Sequence, residues 1–153
     1  MKKMSVLVER ILMILVFVCI TTGSLAQSAD EAAIKAAALN YIEGWYSADT
    51  ARISKALSTD LVKRGFMVNR NNQLVKTEAT YKQMLEWTGK KPNELKQKPD
   101  MKFDVTIIEI GKNIAMAKVV SPQYIDYLHL GKMNEEWKIY NVIWELNVQK
   151  TDN

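Results

Sequence analysis

Asp126 and His129 are the side chains of this 153-residue sequence best suited to acid–base chemistry. His129 is the one histidine, and imidazole titrates near neutral pH. The two residues are three positions apart in a segment with strand periodicity, and an odd offset along a strand places side chains on opposite faces. An Asp–His dyad is therefore disfavoured. Asp126 alone predicts either a proton-transferring carboxylate in an apolar pocket or a structural carboxylate bonded to Tyr41 or Arg64.

Other side chains have the chemistry to recognise a ligand. Tyr41 and Trp45 are four positions apart, so on a helix they share a face and form either an aromatic wall for a flat ligand or part of the core. Arg64 is suited to binding an acidic group, or else lies at the surface. The amide of Asn141 can stabilise an oxyanion. The candidate ligand-binding residues are Tyr41, Trp45, Arg64, Asp126 and Asn141, and Asp126 is the candidate catalytic residue.

Composition excludes several other classes of site. The sequence contains no glycine-rich phosphate loop and no GxSxG nucleophile elbow. One histidine cannot assemble a typical zinc site, and the single cysteine, Cys19, lies in a segment predicted to be removed. We therefore expect no bound metal and no cofactor. Removal of that segment takes away three basic residues and one acidic residue, which lowers the formal net charge from +4 to +2. Nucleic acid is not an expected partner.

Residues 1–26 have the three parts of a cleaved export signal. Basic residues precede the apolar run Ile11–Ile20, and Ser24 and Ala26 occupy positions −3 and −1 of a cut before Gln27. This apolar run is shorter than the roughly 20 residues that span a bilayer. The sequence therefore predicts a secreted or periplasmic protein, cleaved after Ala26, with no stable membrane anchor.

The remaining chain, residues 27–153, is predicted to be one α+β domain in which helices precede strands. Short separators between the last four strands predict an antiparallel meander. Helices are predicted from a capping box at Ser28 and Glu31 to Ala48, over 51–57, and from Thr77 to Thr88; the segment 61–68 is extended, 90–99 is a loop, and strands are predicted over 101–110, 114–121, 124–132 and 136–148.

A two-residue turn at Asn134–Glu135 assigns the side chains of the last two strands to faces. It sets Leu130 opposite Ile139 and Asp126 opposite Ile143. One face then carries Asp126, Leu128, Leu130, Trp137, Ile139 and Asn141, and the other carries Ile125, Tyr127, His129, Tyr140, Val142 and Trp144.

Both faces are apolar, and the helices of so short a chain cover only one of them. The second face predicts a homodimer through Tyr127, His129, Tyr140 and Trp144. Small residues beside the first face, Ala115 and Ala117, predict unfilled volume and a pocket. A register slip of one residue at Pro122–Gln123 would instead turn both alanines outward.

Four strings, in this order, resemble a known superfamily: Tyr41-Ile42-Glu43-Gly44-Trp45-Tyr46, Leu61-Val62-Lys63-Arg64, Asp126-Tyr127-Leu128-His129-Leu130 and Trp137-Lys138-Ile139. They look like the branch described as "putative lumazine-binding" among the nuclear transport factor 2-like (NTF2-like) and SnoaL-like proteins, over nearly all of residues 28–148. The resemblance implies a cone-shaped α+β fold with N-terminal helices packed on a curved antiparallel sheet. It does not imply one activity, because this fold hosts isomerases, dehydratases, cyclases and non-catalytic binding domains.

Three functional hypotheses follow. The first is an exported, non-catalytic domain that binds a small apolar or aromatic ligand. The second is a metal-independent isomerase or dehydratase of the ketosteroid-isomerase or SnoaL type, with Asp126 moving the proton and Asn141 or a tyrosine as oxyanion donor. The third is a protein-interaction domain that uses the outer face of the sheet; an interior filled by Trp137, Tyr41 and Leu128 would favour it.

Overall fold

The computed structural model describes residues 27, 29–90 and 101–148. The predicted signal peptide, the predicted cap at Ser28 and all of the predicted loop except Lys90 lie outside the described residues. The chain divides into a unit of residues 1–32 and a unit of residues 33–153, and the sheet and the sites below belong to the second. Within the described residues, no helix has both the length and the apolar character needed to cross a membrane.

The described residues form three helices and six strands. Helix α1 covers residues 29–47. The other elements are α2 (Thr50–Ala56), β1 (Leu57–Val68), β2 (Leu74–Thr80), α3 (Tyr81–Gly89), β3 (Asp104–Ile110), β4 (Ile114–Val120), β5 (Tyr124–Met133) and β6 (Glu136–Leu146). The predicted α+β class is confirmed, with helices packed on a curved, mostly antiparallel sheet.

The six strands lie in the order β2-β1-β6-β5-β4-β3. Strands β3 to β6 form the predicted antiparallel meander. The chain reaches the other side of β6 through β1, which pairs with β6 in parallel and with β2 in antiparallel fashion. This parallel pairing joins β1, which follows the first two helices, to the last strand, and local sequence patterns do not encode it.

The third helix begins at Tyr81, so the prediction that Thr77 caps it was wrong. Residues 74–80 instead pair with β1, and the backbone hydrogen bonds of this hairpin hold Thr77 in an extended strand. The cap is Thr80. Its hydroxyl accepts a hydrogen bond from the backbone N–H of Gln83 at 3.4 Å, and the side-chain oxygen of Gln83 accepts one from the backbone N–H of Thr80 at 2.9 Å. The spacing of Thr80 and Gln83 is itself a capping-box signature that marks the correct start.

A β-bulge in β6 interrupts the predicted register. The turn behaves as expected: Asn134 and Glu135 both have positive φ, 50° and 64°, as a two-residue hairpin turn requires. Leu130 lies opposite Ile139, but the next pair joins His129 to Asn141. Tyr140 is therefore the extra residue, and the alternation of β6 inverts after it.

The bulge exchanges the faces predicted for Asn141 and Trp144. Asp126 lies opposite Trp144 rather than Ile143, and the buried Val142 also turns towards the helices. The prediction was wrong because one inserted residue moves every later side chain to the other face. We call the face that carries Asp126 the inner face and the opposite one the outer face.

The inner face holds the hydrophobic core. Ala115 lies opposite Leu130 and Ala117 opposite Leu128, so the register at Pro122–Gln123 does not slip and both alanines point inward. Tyr41, Leu128 and Trp137 are the large side chains that would fill the interior, and all three are buried. The interior is thus packed, which is the condition named above as favouring the protein-interaction hypothesis.

Candidate functional site

Asp126 is buried on β5 in an ion pair with Lys63. Its Oδ1 accepts hydrogen bonds from the Tyr41 hydroxyl at 2.7 Å and from the Lys63 ammonium at 2.8 Å. Lys63 also donates to the Tyr41 hydroxyl oxygen. The side chains of Lys63 and Asp126 are 13% and 1% exposed. The predicted bond between Asp126 and Tyr41 is therefore present, and we call these three residues the Lys63 cluster.

Strand alternation explains why Lys63 and not Arg64 reaches the carboxylate. Lys63 lies opposite the inward-facing Val142, whereas Arg64 lies opposite Ile143 on the outer face. The Arg64 guanidinium instead approaches the Asn141 side-chain oxygen at 3.5 Å. The sequence predicted Arg64 as a partner of Asp126, whereas the actual partner is the adjacent residue, Lys63.

A signal for Lys63 exists in the sequence. Leu61 is apolar and buried, and a strand places residues two apart on the same face. Lys63 therefore shares the inner face with Leu61, and Arg64 does not. Strand alternation does not predict that Asp126 is the partner of Lys63, because the two residues are 63 positions apart in the chain.

Two of the predicted ligand-binding residues lie away from Asp126. Asn141 contacts His129 on the outer face, with 3.2 Å between the amide nitrogen and Nδ1, and it also approaches Arg64. The predicted role of Asn141 as oxyanion donor beside Asp126 was wrong, because the β-bulge places the amide on the other side of the sheet. In the described residues, no three His, Cys, Asp or Glu side chains are gathered as metal ligands.

Burial shifts the pKa values of two residues of the Lys63 cluster, Lys63 and Tyr41. Desolvation lowers the pKa of Lys63, and the negative charge of Asp126 opposes that shift. Burial raises the pKa of Tyr41 well above its usual value, and the charge of Asp126 and the hydrogen bond to it raise it further. Tyr41 is therefore a neutral phenol that donates to the carboxylate. The second oxygen of Asp126, Oδ2, is buried without a hydrogen-bond partner among the described residues.

A cleft of about 80 Å³ adjoins the cluster. Lys63 lines it, together with residues of α1, β2, α3, β5 and β6. Asp126 is not among the described residues that line it, so a ligand there contacts the ammonium group rather than the carboxylate. The predicted pair Tyr41 and Trp45 does line the cleft. The aromatic wall consists of Tyr41, Trp45, Trp87, Tyr124 and Trp144.

Trp144 is held at the cleft by its neighbours on the inner face. The Lys63 nitrogen lies 5.0 Å from the centre of the Tyr41 ring and 5.2 Å from that of Trp144, as in a cation–π contact. Tyr124 packs edge-on against Trp144 at 5.2 Å. The indole also lies against Gly65, where a Cβ would come within 2.2 Å of the ring. The absence of a side chain at Gly65 therefore makes room for Trp144.

Gly65→Ala is expected to displace the Trp144 ring and to lower the free energy of unfolding by about 1–3 kcal/mol, because the new methyl group overpacks the site. Urea unfolding and the indole N–H resonance of Trp144 measure the two effects. Gly89→Ala is the matched control, since its Cβ would meet nothing closer than 3.4 Å. Unchanged stability and an unmoved Trp144 resonance in Gly65→Ala would contradict the close contact.

The free energy of unfolding is expected to fall as pH rises above about 10. Burial raises the pKa values of Tyr41, Tyr46 and Tyr124, so the folded protein keeps phenol protons that the unfolded chain releases. This contribution is complete below the unfolded pKa and is lost as pH rises through the folded values. The lowered pKa of Lys63 acts the other way, adding stability as pH approaches roughly 10.4.

Tyr41→Phe should therefore flatten the alkaline decline by up to about 1.4 kcal/mol per pH unit. Urea unfolding of both proteins across alkaline pH measures the slope. Equal slopes would show that the Tyr41 phenol is not protected by burial and by Asp126.

Comparison with known proteins agrees with the fold. Residues 29–145 match the family model described as "Putative lumazine-binding". An NTF2-like protein of unknown function from Shewanella baltica has a similar structure, with a TM-score of 0.60 and 20% identity, over 78% of this chain and 94% of that chain. A second NTF2-like protein of unknown function, from Silicibacter pomeroyi, has a TM-score of 0.62 and 13% identity, over 78% of this chain and 98% of that one.

None of the curated proteins matches this sequence. At these identities the structural likeness establishes the fold alone, whereas the family model spans most of the chain. The family predicted from the four sequence strings, which begin at Tyr41, Leu61, Asp126 and Trp137, is thus confirmed. The chain belongs to the "Putative lumazine-binding" family and has the fold of the NTF2-like proteins.

Proposed function

We propose that the protein is an exported, non-catalytic domain that binds a small aromatic ligand in the cleft beside Lys63. The observation that carries this proposal is the combination of a buried ammonium group with an aromatic wall. An ammonium group has three N–H donors. Asp126 and Tyr41 take two of them, and the third has no acceptor among the described residues, so it can serve a ligand. Flat rings pack well against tryptophan, so the wall and the donor suit the same ligand.

Binding is favoured over proton transfer by the position of Asp126. A general acid or base must lie within hydrogen-bond reach of the reacting group. Asp126 bonds to Lys63 and Tyr41 and is not among the described residues that line the cleft, while His129 and Asn141 lie on the outer face. A proton-transferring enzyme would have to use the Oδ2 of Asp126, which has no hydrogen-bond partner among the described residues, with a tyrosine of the cleft such as Tyr124 as oxyanion donor.

The size of the cleft limits how a ligand enters. A cavity that holds benzene measures about 150 Å³, whereas this cleft measures about 80 Å³. We propose that Trp87 moves aside on binding, because it is the tryptophan of the wall whose side chain is exposed, at 44%. The ring of the ligand then occupies the space that Trp87 vacates.

Titration with flavin, pteridine, steroid and polyketide-like compounds tests this function, with tryptophan indole N–H resonances as the readout. Trp45, Trp87 and Trp144 line the cleft, and the buried Trp137 is not among the described lining residues, so it serves as an internal control. We expect one class of compound to shift the three wall signals and to raise Tm, by an amount that grows with the logarithm of its affinity. If no compound shifts them, the binding function is wrong.

Incubation of the same compounds with the protein in D₂O, followed by NMR or mass spectrometry of the ligand, separates binding from catalysis. A binding domain returns the ligand unchanged. Deuterium uptake by the ligand, present in the wild type and lost in Asp126→Asn, would support the isomerase or dehydratase alternative instead.

A second candidate function, protein binding, is favoured by the outer face. Met116, Tyr127 and Ile143 are apolar or aromatic and exposed there, and a groove of about 640 Å³ includes His129 and Tyr140. Patches of this kind usually mark an interface. We propose that this face forms a homodimer; Trp144, which was predicted to join it, lies on the inner face.

Light scattering of the purified chain tests the dimer. We expect a dimer at micromolar concentration and a monomer for Tyr127→Glu, because a charge at the centre of an apolar interface cannot be solvated. If the wild type is a monomer at this concentration, the proposed dimer interface is wrong. Tyr81 is half-buried on α3, away from this face, so Tyr81→Phe is the control variant and should remain dimeric.

Export is proposed from residues 1–26. Mass spectrometry of the protein recovered outside the cytoplasm should give a chain that begins at Gln27. A recovered chain that still begins at Met1 would show that the segment is not cleaved.

A further inference from the structure

The charges at the cleft are balanced before a ligand enters. Lys63 is paired with Asp126 at 2.8 Å, and both are largely removed from solvent. Glu78 lies at the rim of the cleft, where it is exposed and paired with Lys76 at 2.7 Å. Because Asp126 already neutralises Lys63, no uncompensated positive charge is present to repay the desolvation of an incoming anion.

Lys63 nevertheless offers a directed donor. Asp126 and Tyr41 fix two of its N–H groups, and the rings of Tyr41 and Trp144 flank the nitrogen at 5.0 and 5.2 Å. The ammonium group is thus held in place by its hydrogen bonds and by the two rings. The free N–H is satisfied by a neutral acceptor such as a carbonyl oxygen or a ring nitrogen, and such an acceptor brings no charge into the site.

We propose that the cleft selects neutral aromatic ligands that carry a hydrogen-bond acceptor, and that the Lys63–Asp126 pair discriminates against their anionic analogues. This inference rests on the binding function proposed above and specifies its ligand class. Lys63 contacts the ligand. Asp126 is a positioning residue, which acts through Lys63 by cancelling its charge and orienting its donors.

Benzamide and benzoate test the proposal, because they share one ring and nearly one shape but differ in charge at pH 7. Each is titrated into the chain while the indole signals of the wall are followed, with Trp137 as internal control. In the wild type we expect benzamide to bind at least tenfold more tightly than benzoate. Lys63→Met should lose at least tenfold in benzamide affinity and should bind benzoate no better than the wild type does, because the Asp126 charge is left uncompensated.

Asp126→Asn gives the sharper test. It keeps the size of the side chain and an acceptor for Tyr41 but leaves the charge of Lys63 uncompensated. The preference should therefore reverse, with benzoate binding more tightly than benzamide. Asp104→Asn, which neutralises an exposed carboxylate on β3, is the matched control and should keep the wild-type preference.

The outcomes separate the two proposals. Equal affinities in the wild type, or tighter binding of benzoate, would overturn the charge selection and leave the binding function in place. A wild type that binds neither probe, together with a failed compound titration, would overturn both. The wild-type comparison decides the matter even if Asp126→Asn does not fold, because it requires no variant.

Discussion

Lys63→Met is expected to lower the free energy of unfolding by about 3–5 kcal/mol, because removing one partner of a buried ion pair leaves the other charge uncompensated. In this variant the Asp126 carboxylate stays buried with only the Tyr41 hydroxyl as a donor, and its Oδ2 has no partner among the described residues. Urea unfolding at pH 7, followed by circular dichroism, measures the loss.

Two further variants show whether charge or packing causes this loss. The double variant Lys63→Met with Asp126→Leu should recover part of the stability, since apolar residues of similar size often replace a buried pair without cost. Recovery is incomplete because the buried Tyr41 hydroxyl loses its bonds to both residues. Lys76→Met removes an exposed lysine paired with Glu78 and should cost less than about 1 kcal/mol. If the double variant is as unstable as the single one, the loss comes from the packing of the lysine stem.

Leu128→Ala is expected to cost about 2–5 kcal/mol, the range found for truncating a buried leucine. Leu128 lies at the centre of the inner face, with Ala117 opposite it on one neighbouring strand and Val142 on the other, and all three are fully buried. These neighbours are small and belong to paired strands, so they cannot move in to fill the space. The cost should therefore fall near the upper end of the range.

The resulting cavity gives a second readout. It is apolar, so it should stay dry and bind benzene, which would raise the Tm of Leu128→Ala but not that of the wild type. Tyr127→Ala, one residue earlier on the outer face, should cost about 1 kcal/mol or less in the monomer because its ring is exposed. A cost below 1 kcal/mol for Leu128→Ala would mean that the interior is loosely filled.

Both predictions concern residues that local patterns located only in part. Period-two alternation identified Leu128 as a core residue and Asp126 as its neighbour on the same face, and both are buried there. Alternation holds because a strand turns each successive side chain to the opposite face wherever the ladder is regular. The face assignment failed from Asn141 onward, because a bulge adds a residue without a clear local signature.

The short strings from Tyr41 to Trp137 were enough to identify the family, and the turn residues Asn134 and Glu135 were enough to place the last hairpin. Such features depend on neighbours in the chain, so a sequence carries them directly. Two other features depend on the parallel contact between β1 and β6. These are the pairing of Lys63 with Asp126 and the packing of Trp144 against Gly65. Only the folded chain brings those distant segments together, and only their burial turns an ordinary lysine and carboxylate into a neutral, directed pair beside an aromatic cleft.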